Sequence, residues 1–281
     1  MSRLSETFRI GGLEVAALSD GAPERALGGF FHGVDAKEWT QALGITDPQQ
    51  PMPFNFGSFL IRGDGRTTLV DTGYGTRARE MDMPGAGGLL DRIRELGVGL
   101  DEVDTIAITH LHGDHCGWNV NDDEGGALTF PNATVHVHRR ELDYWTGTES
   151  AENPMAEQVR SRIVPVQAAG RVRTVDGEQA VTDSLTMVPT PGHTPGHCSV
   201  LLASQGEHLL ILGDAAHHPV HLERHDWLPG VDLDPAESRR SRAKVAALAV
   251  ERDAVVTGGH FPILTLGKVR RVEGGYRFEQ L

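Results

Sequence analysis

Three histidines and one aspartate fall within six consecutive positions, from His110 to His115. Imidazole and carboxylate groups are ligands that zinc and related divalent ions accept. His110 and His112 are spaced so that two imidazoles can reach one ion, and Asp114 followed by His115 supplies ligands for another. This density of ligands indicates a metal site.

Each of the two ions needs further ligands from elsewhere in the chain. His193, Asp214 and His260 are candidates, because each follows an apolar segment and lies next to a glycine. Two divalent ions about 3.5 to 4 Å apart that share a water form a hydrolytic pair. The sequence therefore indicates a two-metal site with ligands drawn from several strand ends.

Apolar, β-branched segments precede these ligands and predict the strands that position them. Residues 103–108 lead into the histidine run, and residues 67–71 end at Asp71. Asp71 either caps its own turn or reaches toward a metal-bound histidine, and the two roles are compatible. A long helix is predicted from Pro235 to Arg252, with Asp234 as its N-cap.

Composition limits the class of protein. The chain has 281 residues, 39% of them hydrophobic, and no long linker, so we expect one domain over residues 1–281. The net charge of -13 disfavours nucleic acid and anionic membranes as partners. The N-terminus lacks the apolar core of a signal peptide and no stretch approaches roughly 20 apolar residues, so a cytoplasmic location is expected.

Residues 22–53 differ in composition from the rest, with glycine, proline and aromatic residues that include Phe30 and Phe31. Such a segment is either a lid over a pocket or a loop that packs its phenylalanines on the body of the protein. The sequence leaves both interpretations open.

The ligand pattern resembles that of the metallo-β-lactamase superfamily. The matching motifs are His110-x-His112-x-Asp114-His115, Gly192-His193, Gly213-Asp214 and Gly259-His260, preceded by the strand Leu69 to Gly73. The resemblance implies an α/β fold, a four-layer αββα sandwich with metals at one edge. It also implies that one ion is held by His110, His112 and His193, that the other is held by Asp114, His115 and His260, and that Asp214 bridges both.

Membership would imply metal-dependent hydrolysis by a metal-bridging hydroxide, with Asp114 as the residue that carries the proton to the leaving group. Zinc is expected at both positions, although manganese, iron or cobalt would suit the same ligands. A homodimer is expected only by analogy with the family.

Within the superfamily, the Asp20-Gly21 turn, the aromatic insertion and the length are similar to the group of N-acyl homoserine lactone lactonases and methyl parathion hydrolase. Those lactonases carry a tyrosine three residues after the bridging aspartate, and here that position is His217. His217 either replaces the tyrosine as a catalytic donor to the substrate oxyanion or forms part of the pocket wall. We expect His218, His221 and His225 at the pocket rim or on the surface.

A lactone or ester is the favoured small-molecule substrate, and the predicted substrate-binding residues are Phe30, Phe31, Trp118, His217 and Phe261. Phosphotriester or β-lactam hydrolysis is the alternative on the same site. A glyoxalase-like thioesterase would use a basic C-terminal patch, but the basic run at residues 268–271 is more typical of a solvated strand edge. A non-enzymatic metal-binding module is disfavoured, because all seven ligand positions are filled.

Overall fold

The computed structural model describes residues 4–80, 87–262 and 265–281. Its strands are β1 (Ser5–Ile10), β2 (Leu13–Ser19), β3 (Glu24–Arg25), β4 (Met52–Pro53), β5 (Gly57–Gly63), β6 (Arg66–Val70), β7 (Thr105–Ala107), β8 (Val120–Asn121), β9 (Ala127–Leu128), β10 (Thr134–His138), β11 (Val172–Val175), β12 (Gln179–Ala180), β13 (Leu185–Pro189), β14 (Cys198–Ser204), β15 (Glu207–Ile211), β16 (Val255–Thr257), β17 (Gly267–Val272) and β18 (Gly275–Gln280). Its α-helices are α1 (Ala36–Leu43), α2 (Arg77–Glu80), α3 (Leu89–Glu95), α4 (Gly113–Cys116), α5 (Arg139–Thr146), α6 (Ala156–Ala168) and α7 (Pro235–Glu251).

Fourteen of the strands form two mixed sheets of seven. The first has the order β1-β2-β5-β6-β7-β10-β11, in which β6, β7, β10 and β11 are mutually parallel. The second has the order β12-β13-β14-β15-β16-β17-β18, in which only β15 and β16 form a parallel pair. Two short hairpins, β3-β4 and β8-β9, lie outside these sheets.

The two sheets pack face to face, and their central strands carry apolar side chains on both faces. In β5, Phe59 and Ile61 enter the core between the sheets, whereas Leu60 faces the outer core of the first sheet. In β15, Leu209 lies between the sheets and Leu210 belongs to the outer core of the second. Since successive side chains of a strand point to opposite faces, such strands must be covered on both sides.

Helices provide that cover. Apolar residues of α3, α5 and α6 complete the outer core of the first sheet, and those of α7 complete the outer core of the second. The arrangement is the predicted four-layer αββα sandwich. Asp234 is the N-cap of α7, as predicted, and its carboxylate accepts the N–H of Glu237 at 2.9 Å.

The basic run at residues 268–271 lies in β17, which pairs with β18 along its length. On its other side β17 pairs with β16 only at Gly267 and Lys268, and Arg270 and Arg271 beyond that pairing are exposed, as expected for a solvated strand edge. The charge of the run is compensated locally, since Lys268 and Arg270 form ion pairs with Asp253.

The segment 22–53 packs on the body of the protein. It contains the β3-β4 hairpin and α1, whose N-cap Asp35 accepts the N–H of Lys37. Backbone hydrogen bonds join it to residues 228–230, through His32 to Leu228 at 2.9 Å and through Gly230 to Gly29 at 3.0 Å. Leu27, Phe31 and Trp39 of the segment share an apolar cluster with Trp227. Whether the segment opens as a lid stays a prediction.

In the described parts of the chain, no helix is both long and apolar enough to cross a membrane.

Candidate metal centre

The ligand candidates meet at one edge of the sandwich because the strands that precede them end there. The histidine run follows β7, and Asp71 follows its parallel neighbour β6. On the second sheet, Asp214 and His260 follow the parallel pair β15 and β16. Parallel strands present their carboxyl ends at the same edge, so loops from both sheets converge.

One group of four side chains turns its ligand atoms toward a common point. His112 Nδ1 lies 3.0 Å from His110 Nε2 and 2.9 Å from His193 Nε2. Asp214 Oδ2 lies 3.1 Å from His193 Nε2 and 3.6 Å from His110 Nε2. Three imidazole nitrogens and a carboxylate oxygen thus surround a position suited to one cation.

A second group lies on the other side of Asp214. His115 Nε2 and His260 Nε2 are 3.2 Å apart, and Asp114 Oδ2 lies 3.4 Å from His260 Nε2. Asp214 Oδ1 lies 3.3 Å from both of these histidine nitrogens. The two oxygens of Asp214 therefore face different groups, which is the geometry a bridging carboxylate requires.

The protonation states of His112 and Asp214 fit a bound cation. Burial and the neighbouring His193 together lower the pKa of His112 to about 3, so this ring is neutral and keeps a lone pair for a metal. Asp214 Oδ1 is buried and has no hydrogen-bond partner among the described residues. Burial raises the pKa of Asp214, but the surrounding histidines lower it well below its usual value, so the carboxylate is ionised. The residues present therefore fit two divalent ions.

The histidine nitrogens that face away from this point are mostly fixed by partners. His115 Nδ1 lies 2.8 Å from Asp71 Oδ2, and His193 Nδ1 lies 2.9 Å from Asp232 Oδ1. His260 Nδ1 lies 2.7 Å from the carbonyl oxygen of Asn55. Such contacts fix the tautomer and the orientation of each ring.

Asp71 has the second of the two roles that its sequence position suggested, the contact with a histidine of the ligand groups. Besides contacting His115, its carboxylate accepts the N–H of Thr109 at 2.7 Å and the hydroxyl of Thr109 at 2.8 Å. Its φ of 57° lies in the left-handed region that few residues other than glycine adopt. These three bonds hold that conformation and join the ends of β6 and β7.

A small apolar cavity of about 40 Å³ opens beside these groups. Phe30, Phe31 and Phe54 line it together with His217, His218 and His260. The ring of Phe54 stacks on that of His260 at 4.2 Å and on that of Phe30 at 4.9 Å. The predicted wall residues Phe30, Phe31 and His217 thus adjoin a ligand candidate.

The profile of the metallo-β-lactamase superfamily matches residues 58–260. The chain belongs to this superfamily. The chain is similar to N-acyl homoserine lactonase AttM of Rhizobium radiobacter, with 28% identity over 233 residues, covering 77% of this chain and 84% of AttM. N-acyl homoserine lactonase AiiA of Bacillus thuringiensis subsp. kurstaki is 25% identical over 173 residues, covering 61% of each protein.

Solved structures of the superfamily share the fold over nearly the whole chain. AidC, a dizinc quorum-quenching lactonase solved with a product, superposes with a TM-score of 0.85 at 21% identity, covering 99% of this chain and 98% of AidC. The hydrolase AbOPH superposes with a TM-score of 0.85 at 24% identity, covering 100% of this chain and 98% of the AbOPH chain. These likenesses confirm the predicted fold. The superfamily profile confirms the predicted family and, with the lactonase relatives, places the chain among metal-dependent hydrolases.

Two of the predicted substrate-binding residues, Trp118 and Phe261, do not line the cavity. Trp118 is buried in the outer core of the first sheet, and its Nε1–H donates to Asp20 Oδ1 at 3.1 Å. Phe261 is buried in the outer core of the second sheet, where its ring contacts that of Phe278. Both positions are wrong for a pocket wall, because the apolar side chains face the core rather than the cavity.

The segment after the bridging aspartate is more buried than expected. His218 does line the cavity, but His221 is fully buried and is not a rim or surface residue. His221 Nδ1 accepts the N–H of His217 at 3.2 Å, and its Nε2 lies 3.2 Å from the carbonyl oxygen of Phe30. His221 thus ties together two walls of the cavity.

Glu141, at the start of α5, is a supporting residue that no motif or spacing in the sequence indicates. One carboxylate oxygen accepts the N–H of Leu111 at 2.9 Å and the indole N–H of Trp145 at 2.8 Å. The other accepts the N–H of Gly196 at 3.0 Å. Glu141 therefore joins the loop that carries His110 to His115 with the loop that carries His193.

Gly192 shows how closely α7 approaches this second loop. A Cβ at Gly192, whose φ is 130°, would lie 2.1 Å from the backbone nitrogen of Ser238 in the first turn of α7. The carbonyl of Gly192 also accepts the N–H of Asp234 at 2.8 Å. Glycine is required before His193 because no side chain fits between the loop and the helix.

Proposed function

We propose that the chain is a dinuclear zinc hydrolase that hydrolyses small-molecule lactones or esters. The observation that carries the proposal is the shared carboxylate of Asp214, with one oxygen toward each group of ligands. His110, His112 and His193 would hold one ion, and Asp114, His115 and His260 the other. Two bound divalent ions would supply hydroxide at neutral pH and polarise the substrate carbonyl.

Asp114 is the residue that we assign to proton transfer. Its side chain is 20% exposed, whereas those of His115, Asp214 and His260 are at most 4% exposed. A carboxylate that faces both a ligand group and the solvent can accept a proton near the ions and release it to a leaving group. The other ligand candidates lack that access.

His217 is placed to contact the substrate. Its Nε2 lies 3.1 Å from Asp214 Oδ2, and its ring is parallel to that of His260 at 5.4 Å. Its Nδ1 is buried without a hydrogen-bond partner in the described residues, and the ring lines the apolar cavity. We assign His217 to polarisation of the substrate carbonyl, in place of the tyrosine of the related lactonases.

The apolar cavity supports a substrate with an acyl or aryl portion. Phe30 and Phe54 line the cavity directly beside His217 and His260. Pockets of this kind bind apolar groups by removing them from water. The relatives named as N-acyl homoserine lactonases support a lactone with an acyl chain, and the replacement of tyrosine by His217 directs the test to other lactones and esters as well.

The test begins with metal analysis and hydrolysis of a panel of acyl lactones, aryl esters, phosphotriesters and a chromogenic cephalosporin. We expect two ions per chain and turnover of lactones or esters. Asp114→Asn should lower the rate of turnover by more than about 100-fold, the usual effect of removing a general acid-base group. Turnover restricted to phosphotriesters or the cephalosporin would replace the substrate assignment. Full activity in metal-free protein would refute the mechanism.

The role of His217 requires a separate pair of variants. In His217→Ala we expect two ions per chain and a lower kcat, and in His217→Gln, which retains a donor, a smaller loss. Loss of one ion in His217→Ala would show instead that His217 is a ligand, since its Nε2 also lies close to Asp214 and His260.

A further inference from the structure

Arg242 is a fully buried cation in the middle of α7. Its Nε donates to the carbonyl oxygen of Ala215 at 2.8 Å, and its Nη1 donates to the carbonyl oxygen of Trp227 at 2.7 Å. Its Nη2 lies 3.2 Å from Asp232 Oδ2. Nη1 also lies 3.4 Å from the carbonyl oxygen of His225. The guanidinium therefore binds four points of the segment that begins at the bridging Asp214.

Asp232 connects this cation to a ligand candidate. Its Oδ1 lies 2.9 Å from His193 Nδ1, and both side chains in the Asp232–Arg242 pair are completely buried. On the other face of the imidazole, His193 Nε2 points at His112 Nδ1 and Asp214 Oδ2. A continuous chain of contacts thus runs from Arg242 through Asp232 to the first ligand group.

The bond from Arg242 Nε to the carbonyl of Ala215 lies beside Asp214, which both ligand groups share, so it does not distinguish between the groups. The partners of the histidines do distinguish them. The nitrogens of His115 and His260 that face away from the ligand groups contact Asp71 and the Asn55 carbonyl, on the first sheet and its loops. The histidines of the second group are therefore supported independently of α7, whereas His193 of the first group is held through Asp232.

We propose that Arg242 is a positioning residue that sets the metal affinity of the first ligand group, formed by His110, His112 and His193, through Asp232. This inference rests on the two-metal site of the proposed function. Arginine suits the role because its rigid planar fork can bind a carboxylate and two carbonyls at once, which a lysine ammonium cannot match. Without it, Asp232 would be a buried charge lacking its cationic partner.

The test is metal titration into metal-free protein for wild type and Arg242→Lys, monitored by calorimetry and by competition with a chromogenic chelator. Wild type is expected to bind two ions. In Arg242→Lys we expect one of the two affinities to fall on the order of tenfold to 100-fold, the usual effect of losing a partner behind a metal ligand, while the other changes little. Arg240→Lys, on the same helix with its side chain 64% exposed, is the matched control and should bind as wild type does.

Asp232→Asn provides a second variant in case Arg242→Lys folds poorly. It should weaken the same single affinity, and the double variant should lose less than the sum of the two single effects, because both act through one chain of contacts. Equal weakening of both affinities, unchanged affinities, or strict additivity would overturn the proposal. If wild type binds fewer than two ions, the proposed two-metal function fails. If wild type binds two and Arg242→Lys matches it, only this inference fails.

Discussion

Replacement of Glu141 by glutamine is the sharpest test of how the ligand loops are held. The carboxylate receives three N–H donors, from Leu111, Trp145 and Gly196, and it is completely buried. A glutamine of the same shape keeps one oxygen, which can still accept from Leu111 and Trp145. Its NH₂ group would then face the N–H of Gly196, so that two donors oppose each other in a site that excludes water.

The magnitude follows from that geometry. Loss of a hydrogen bond to a charged acceptor, with its donor left buried, costs about 1.5 to 3 kcal/mol. For a chain of this size a loss of 1 kcal/mol lowers Tm by roughly 2 to 4 °C, so Glu141→Gln should unfold about 3 to 12 °C below wild type. Glu141→Ala leaves three donors unpaired, at about 1 to 3 kcal/mol each, and should be more damaging still.

Thermal and urea unfolding followed by circular dichroism, with and without added zinc, would measure both changes. Asp143→Asn is the matched control, because Asp143 lies on the same helix and is exposed. It should shift stability by less than about 0.5 kcal/mol. A Glu141→Gln protein as stable as this control would refute the account of Glu141 as the link between the two ligand loops.

Three further outcomes are expected. The first concerns pH. Burial, with the nearby charge of Arg242, lowers the pKa of His221 well below its usual 6.5. The unfolded chain therefore takes up a proton below pH 6.5 that the folded chain does not, so the free energy of unfolding falls as the pH falls. By pH 5 the loss of stability reaches about 2 kcal/mol. Measured by urea unfolding, the stability of His221→Gln should fall less steeply between pH 6.5 and pH 5 than that of wild type. Parallel stability profiles of the two proteins would contradict this expectation. Phe30→Ala should lower kcat/KM for apolar substrates about 5- to 30-fold, equivalent to about 1 to 2 kcal/mol of lost apolar contact, with two ions still bound; loss of an ion would show a structural role instead. Asp71→Asn should weaken the metal affinity of the group containing His115 on the order of tenfold to 100-fold in the same titration, and no change in either affinity would rule out this support.

The sequence was most informative where chemistry depends on local spacing. The run from His110 to His115 predicts ligands by itself, and the glycine-flanked His193, Asp214 and His260 add to it because they follow apolar strands. The fold followed from the same residues, through their resemblance to a family. The structure brings all seven side chains to one edge of the sandwich.

Residues that act through long-range contacts could not be found in this way. Glu141 is one of many helix carboxylates in the sequence, and Arg242 is one of several arginines in α7; only the folded chain shows that both are buried. Trp118 and Phe261 were misplaced for a related reason. An apolar side chain beside a ligand can face the cavity or the core, and the sequence does not specify which.

The division of the ligands between the two sheets has a consequence for folding. His110, His112, Asp114 and His115 follow a strand of the first sheet, whereas His193, Asp214 and His260 follow strands of the second. Each ion would then be a cross-link between the two halves of the sandwich, closed only after they have docked. Because such a site binds the folded chain in preference to the unfolded one, metal supply would raise the stability of the whole fold as well as its activity.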